Sequence, residues 1–152
     1  MNITLLTRTA LLLALALLFT QVKLQWVSGP AVNALLIIAT AANGLWSGVL
    51  LGALTPVLAF LGGFMPLVFV VPVIAAGNIL FCVTFAWLHK RNGMAAVAAG
   101  ATLKFLLLAL SVNYLIQVPP PVAKALSLPQ LFTALAGGAL ALLLLRYLPA
   151  RD

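Results

Sequence analysis

The sequence predicts an all-α membrane protein, a bundle of six transmembrane helices with both termini on the cytoplasmic side, and three observations lead there. The 152 residues are 65% hydrophobic and only 6% charged, against about 25% charged in ordinary soluble domains. A spanning helix takes roughly 20 apolar residues, so six use about 120 positions and leave about 30 for ends and connections. The basic residues are also sided. With a cytoplasmic N-terminus, Arg8, Lys90, Arg91, Arg146 and Arg151 fall inside, while Lys23 and Lys124 fall outside. That excess is the N-in, C-in pattern and requires an even number of spans. The whole chain is expected to form a single transmembrane domain in the cell membrane.

The first span is expected at 5–21. Arg8 ahead of the apolar stretch Ala10 to Phe19 has the look of a signal peptide, but Thr20, Gln21, Val22 and Lys23 offer no small-x-small cleavage site. The second span runs 26–42, with Ser28, Gly29 and Pro30 marking a break or bend near its start. Asn43 and Gly44 turn the chain into the third span, 45–61, which Gly62, Gly63 and Pro66 terminate. A fourth runs 67–88. His89, Lys90, Arg91, Asn92 and Gly93 make the most strongly basic turn, and His89 has no second metal ligand beside it. The fifth span is 94–116. Pro119, Pro120 and Pro121 form a stiff connector, since consecutive prolines cannot be helix interior, and the sixth span is 126–148.

Charge excludes several functions. Eight Lys and Arg face one acid, Asp152, so there is no carboxylate pair for general acid/base catalysis, a divalent-cation cage or an intramembrane proton relay. Cys82 alone makes neither an internal disulfide nor a cysteine zinc site. No metal or cofactor is expected. Basic residues scattered singly among apolar runs do not make the clustered face that nucleic acid requires. Ser47, His89 and Ser111 could be drawn as a serine hydrolase, but His89 belongs to the cytoplasmic edge and Ser111 to the outer half.

Lys104 is the most informative residue. It lies about ten positions into the fifth span, roughly 15 Å deep in a hydrocarbon core about 30 Å thick. A lysine there costs a few kcal/mol or more unless it meets a partner, and no intramembrane carboxylate exists. Its counter-charge must be carbonyl and amide oxygens, water, a partner subunit or an anionic ligand; a lysine snorkelling along a displaced helix is the other alternative. Val97, Gly100, Lys104 and Ser111 share one helical face. Small or polar stripes recur in Gly48, Gly52, Thr55 and Ala59, in Gln130, Thr133, Ala134, Gly137 and Ala141, and in Asn33 and Thr40. Close packing alone explains most small residues of this kind. Depth separates a subset: Thr55, Asn78, Lys104 and Gly137 each lie roughly 14 to 17 Å from their helix ends, and so are placed to meet at mid-bilayer. Asn33, Gln130 and Thr133 then fall in the outer half. The expected substrate site is Asn33, Asn78, Lys104, Gln130 and Thr133, an outward-opening pocket floored by Asn78 and Lys104, with Lys104 attracting an anionic or carbonyl-bearing group. Trp26 is expected as an interfacial anchor rather than a stacking platform, and Asn113, opposite Lys104, as a helix contact or an outer-interface residue.

The stretch GPAVNALLIIATAANGLWSGVLLGALTPVLAFLGGFMPLVFVVPVIAAGNILFCVTFAWL, from Gly29 to Leu88, resembles the substrate-binding S components of energy-coupling factor (ECF) vitamin transporters. The likeness lies in the short turn and small-residue third helix (NGLWSGVLLG), the Gly/Pro-rich outer loop, a fourth helix containing Gly77 and Asn78, and alanines four apart, Ala10 and Ala14, in the first helix. The resemblance implies a six-helix bundle that takes up a small nutrient near its outer side and works with a transmembrane coupling subunit and two ATPase subunits. It also implies that Ala10 and Ala14 contact the coupling subunit. The absence of an acid inside the membrane and of any nucleotide-binding motif fits a subunit energised from elsewhere, although sodium coupling through carbonyl ligands stays open. The loops are shorter than is typical of such proteins, and no signature of a thiamine, riboflavin or biotin binder is evident. The competing expectation is a small membrane scaffold like the six-helix shape-determining proteins of cell-wall assembly, which neighbouring genes would distinguish.

Overall fold

The computed structural model describes residues 3–65 and 67–147. Pro66, Leu148, Arg151 and Asp152, to which roles were assigned above, lie outside the described residues. All regular structure among the described residues is helical: α1 (Ile3–Thr20), α2 (Gln25–Ile38), α3 (Leu45–Leu61), α4 (Val71–Leu88), α5 (Gly93–Leu110), a short α6 (Pro120–Ala125) and α7 (Leu128–Leu145). α2 and α5 each finish in a π-helical turn, Ala39–Asn43 and Ser111–Leu115, and a 3-10 turn, Val68–Val70, leads into α4. Five of these segments are long and apolar enough to cross a membrane, and α3, at 17 residues, stands at the lower limit of a spanning length. This is a multi-pass integral membrane protein.

Six helices close into a ring in the order α1, α2, α7, α5, α4, α3 and back to α1, with α2 also reaching across to α4. α1, α3 and α5 run toward one end of the bundle and α2, α4 and α7 run away from it. Lys23 and Lys124 belong to that end. Arg8, Lys90, Arg91 and Arg146 belong to the opposite one. The main core, which includes Leu36, Ile37, Leu51, Phe81, Cys82, Phe85, Val97 and Ala101, fills the opposite half, and a small second cluster of Val70, Val112 and Leu126 sits at the first end.

Lipid gives no hydrophobic drive between helices, so contact depends on how closely backbones approach. A Cβ on Gly48 would overlap Thr40 Oγ1 in the π turn, and one on Gly100 would come within 2.7 Å of Phe81 Cδ2. The turn between α2 and α3 is a single residue, Gly44, whose φ of 98° favours glycine. α3 ends in a Schellman arrangement: Gly63 at φ 77° donates to Phe60 O at 3.0 Å and Phe64 N donates to Ala59 O at 2.9 Å. At the other end Asn92 caps α5 by accepting from Ala95 N at 3.1 Å.

One expected break is corrected and one boundary is refined. The chain does not break at Ser28–Pro30, because α2 continues through them; Pro30 removes one helical bond only, and the carbonyl so freed, that of Trp26, is near the bundle end. The sixth span, expected from about 126, begins at Leu128. Pro120 and Pro121 open α6, and Pro129 lies in the first turn of α7. Proline is tolerated in a first turn, where its missing N–H would have no helical partner, so each proline group starts a helix and Leu126–Ser127 falls between them.

Candidate functional site

Val97, Gly100, Lys104 and Ser111, the face expected to look inward, are all buried. Lys104 is 3% exposed, and its Nζ donates to Asn33 Oδ1 at 2.6 Å and Asn78 Oδ1 at 2.8 Å, tying α5 to α2 and α4. An ammonium only donates, so both amides must turn their oxygens toward it and their NH2 groups away. Those NH2 groups have partners: Asn33 Nδ2 donates to Gly29 O at 2.9 Å, and Asn78 Nδ2 donates to Gly52 O at 3.2 Å. The Gly52 carbonyl is available because the residue four positions on is Pro56, which has no N–H to give it. The buried lysine is thus solvated by a pair of amide oxygens rather than neutralised by a counter-charge. The Phe81 ring adds its face, with its centroid 5.7 Å from Nζ. The third N–H of the ammonium has no hydrogen-bond acceptor among the described residues.

A cavity of about 390 Å³ opens at the Lys23/Lys124 end and reaches down to this network. Asn33, Thr55, Asn78 and Lys104 form its floor. Its walls are largely apolar, with Val32, Pro56, Ala59, Ile74 and Leu126 prominent, and Thr20, Gln25, Ser28 and Gln130 lie toward the mouth. Thr55 Oγ1 donates to Leu51 O at 2.7 Å, so its hydroxyl proton is not offered to the cavity. Gln25 Nε2 donates to Ala125 O at 2.8 Å and fastens the start of α2 to α6 at the rim.

Of the residues expected to form the site, Asn33, Asn78 and Lys104 are in direct contact, and Gln130 lines the same cavity higher up. Thr133 is a correction. It is 1% exposed and outside the cavity wall, packed in the α2–α7 contact, where a Cβ on Gly29 would come within 2.8 Å of it. Three residues rotate a helix by about 300°, enough to turn Thr133 from the lumen toward α2 when Gln130 faces it. Thr55 joins the floor as its depth suggested, whereas Gly137 packs on α2 against Pro30 O. Trp26 is 58% exposed and outside the wall. Asn113 is exposed, bonded to Ala109 O at 2.7 Å. Ala10 and Ala14 are exposed one turn apart on α1, Ala10 at the edge of a shallow groove shared with Leu50 and Leu54 of α3. Ser47 Oγ is paired with Thr9 Oγ1 at 2.8 Å, and His89 Nδ1 lies against its own helix carbonyls, so Ser47, His89 and Ser111 form no triad.

Phe64, Met65 and Gln25 were not anticipated in the cavity. They lie in or beside connectors, where helical periodicity carries no facing information. A signal was available for Phe64, because two glycines followed by an aromatic residue fit a Schellman ending that folds that residue back over the last helical turn.

The family described as ECF transporter, substrate-specific component, matches residues 4–148 of this chain. Comparison with curated proteins and with solved structures gives no match.

Proposed function

The chain belongs to the substrate-specific components of ECF transporters, and we propose that within such an importer it captures a small nutrient or vitamin-like molecule in the cavity above Lys104. Members of the family bind transport substrates and are not enzymes, so the hydrolase arrangement is set aside. The scaffold reading is set aside with it. The observation that carries the proposal is a cationic donor at the floor of an apolar-walled cavity, with one N–H unused. Such a pocket takes its affinity from the walls and its orientation from a few polar groups. Lys104 attracts an anionic or carbonyl-bearing group, Asn33 and Asn78 hold the ammonium in place, and Gln130 reaches the substrate nearer the mouth. Thr133 supports the site from behind by packing α7 on α2.

Transport then depends on a transmembrane coupling subunit, for which Ala10 and Ala14 provide a close-packing face on α1, and on two ATPase subunits. The charge distribution supports an N-in, C-in orientation in the cell membrane, with the cavity opening outward.

The test is to purify the protein in mild detergent from its native host and identify both the bound small molecule and the associated subunits. A bound solute together with a coupling subunit and ATPases is expected; recovery of neither overturns the proposal. Lys104→Met should weaken binding of that solute by about tenfold or more, the loss of one charge-assisted hydrogen bond, while the variant still folds and melts cooperatively. Equilibrium binding and melting measured on the same preparations check it, and unchanged affinity would leave Lys104 a structural role only.

A further inference from the structure

The geometry points to a narrower substrate class: a small water-soluble monocarboxylate whose carboxylate seats at the cavity floor against Lys104. The inference rests on the capture reading above and specifies what is captured.

Charge decides it first. Among the residues lining the cavity Lys104 is the single cation, and there is no acid to offset it. Asn33 and Asn78 solvate the ammonium with dipoles but leave its full charge in place. A neutral carbonyl would accept the third N–H but leave the charge uncompensated, while a cation would be repelled. A ligand with one negative charge makes the loaded site neutral.

Donor count decides between anions. A phosphate monoester brings nearly two charges and three acceptor oxygens at neutral pH. The floor offers one free donor, the third N–H of Lys104. Thr55 has given its proton to Leu51 O, and the amide oxygens of Asn33 and Asn78 present acceptors that repel further anionic oxygens. Among the described residues no second Lys or Arg and no helix N-terminus completes a phosphate cradle at this depth. A carboxylate, with one charge and two oxygens, fits that supply.

The remainder follows from shape. A cavity of about 390 Å³ lies toward the small end of the range of about 300–1,000 Å³ usual for small-molecule sites, which suits a compact solute. The apolar walls take its body. Gln25 and Gln130 near the mouth meet a polar distal end, which a solute arriving from water carries and a fatty-acid tail does not.

The experiment uses the full-length protein in nanodiscs, immobilised and offered the small-molecule fraction of a cell extract, either untreated or with its carboxyl groups converted to methyl esters. Bound species are eluted and identified by mass spectrometry. We expect a water-soluble monocarboxylate retained from the untreated extract and at least about tenfold less retention of its ester, the loss of one charge-assisted contact. A retained species that binds equally well after esterification, or one that is a phosphate ester, overturns the carboxylate assignment and leaves capture standing. Retention of a long-chain fatty acid overturns the water-borne source. No retained species from either extract overturns capture itself. The wild-type comparison does not depend on any variant folding; Lys104→Arg, which keeps the charge, should retain the same carboxylate, and selection of a different class by that variant also counts against the assignment.

Discussion

Gly137→Ala is expected to destabilise the bundle by about 3 kcal/mol, the upper range for forcing extra volume into a packed contact, and to weaken substrate binding with it. The added methyl would overlap Pro30 O and lie 2.7 Å from Asn33 Cβ and 2.9 Å from Ala34 N. Two of those three neighbours are backbone atoms, so no rotamer change relieves the clash and α7 must move away from α2. Asn33 is carried on the strand of contacts that moves, and its 2.6 Å bond to Lys104 lengthens as a result. Gly77→Ala is the contrast: its methyl would meet the side-chain atoms Leu108 Cγ at 3.3 Å and Lys104 Cγ at 3.4 Å. Those atoms can give, and alanine favours the helix by about 1 kcal/mol over glycine. Denaturant titration in bicelles should therefore show a large loss for Gly137→Ala and a change within about 1 kcal/mol for Gly77→Ala. Equal stability of the two variants would contradict the close α2–α7 approach.

Asn78→Leu should have the largest effect among the polar residues, about 3 to 5 kcal/mol, because it removes two satisfactions at once. Lys104 loses one of its two oxygen partners, and Gly52 O loses the donor that stands in for the N–H missing from Pro56. The two losses are separable. Adding Lys104→Met to Asn78→Leu removes the uncompensated ammonium and should recover more than half of the lost stability. Adding Pro56→Ala instead supplies an N–H to Gly52 O and should recover only about 1 kcal/mol, since the lysine stays short of a partner. A double-mutant cycle on unfolding free energies reads both terms. Additive losses for positions 78 and 104 would mean that their contact contributes nothing.

Most of the helices were legible because length and hydropathy are properties of a segment by itself. α3 spans the expected 45–61, and its stripe Gly48, Gly52, Thr55 and Ala59 is buried throughout. Depth was legible in part: counting rise per residue brought Thr55, Asn78 and Lys104 to one level, and they share the cavity floor, whereas Asn33, expected in the outer half, is bonded to Lys104 at that floor. Rotation about the axis was not. Thr133 and Gln130 belong to one stripe in the sequence, yet one packs on Gly29 and the other lines the cavity, because the stripe is wide enough to serve both a neighbouring helix and a lumen. Gly137 and Gly77 look alike as letters and differ in whether backbone or side chain faces them. The last span starts two residues later than expected, at Leu128, with Pro129 in its first turn.

The connectors give the bundle a mechanical polarity. At the closed end α2 reaches α3 through Gly44 alone and α4 reaches α5 through residues 89–92, so these helix pairs are clamped at short span. At the cavity end, residues 62–70 join α3 to α4, and residues 111–127, including the π turn and α6, join α5 to α7. The four-residue link 21–24 between α1 and α2 and the Gln25–Ala125 bond hold the rim at α2. The spare chain at the mouth therefore lies in the α3–α4 and α5–α7 joints, while Lys104 and its two amides sit nearer than those joints to the tightly linked end.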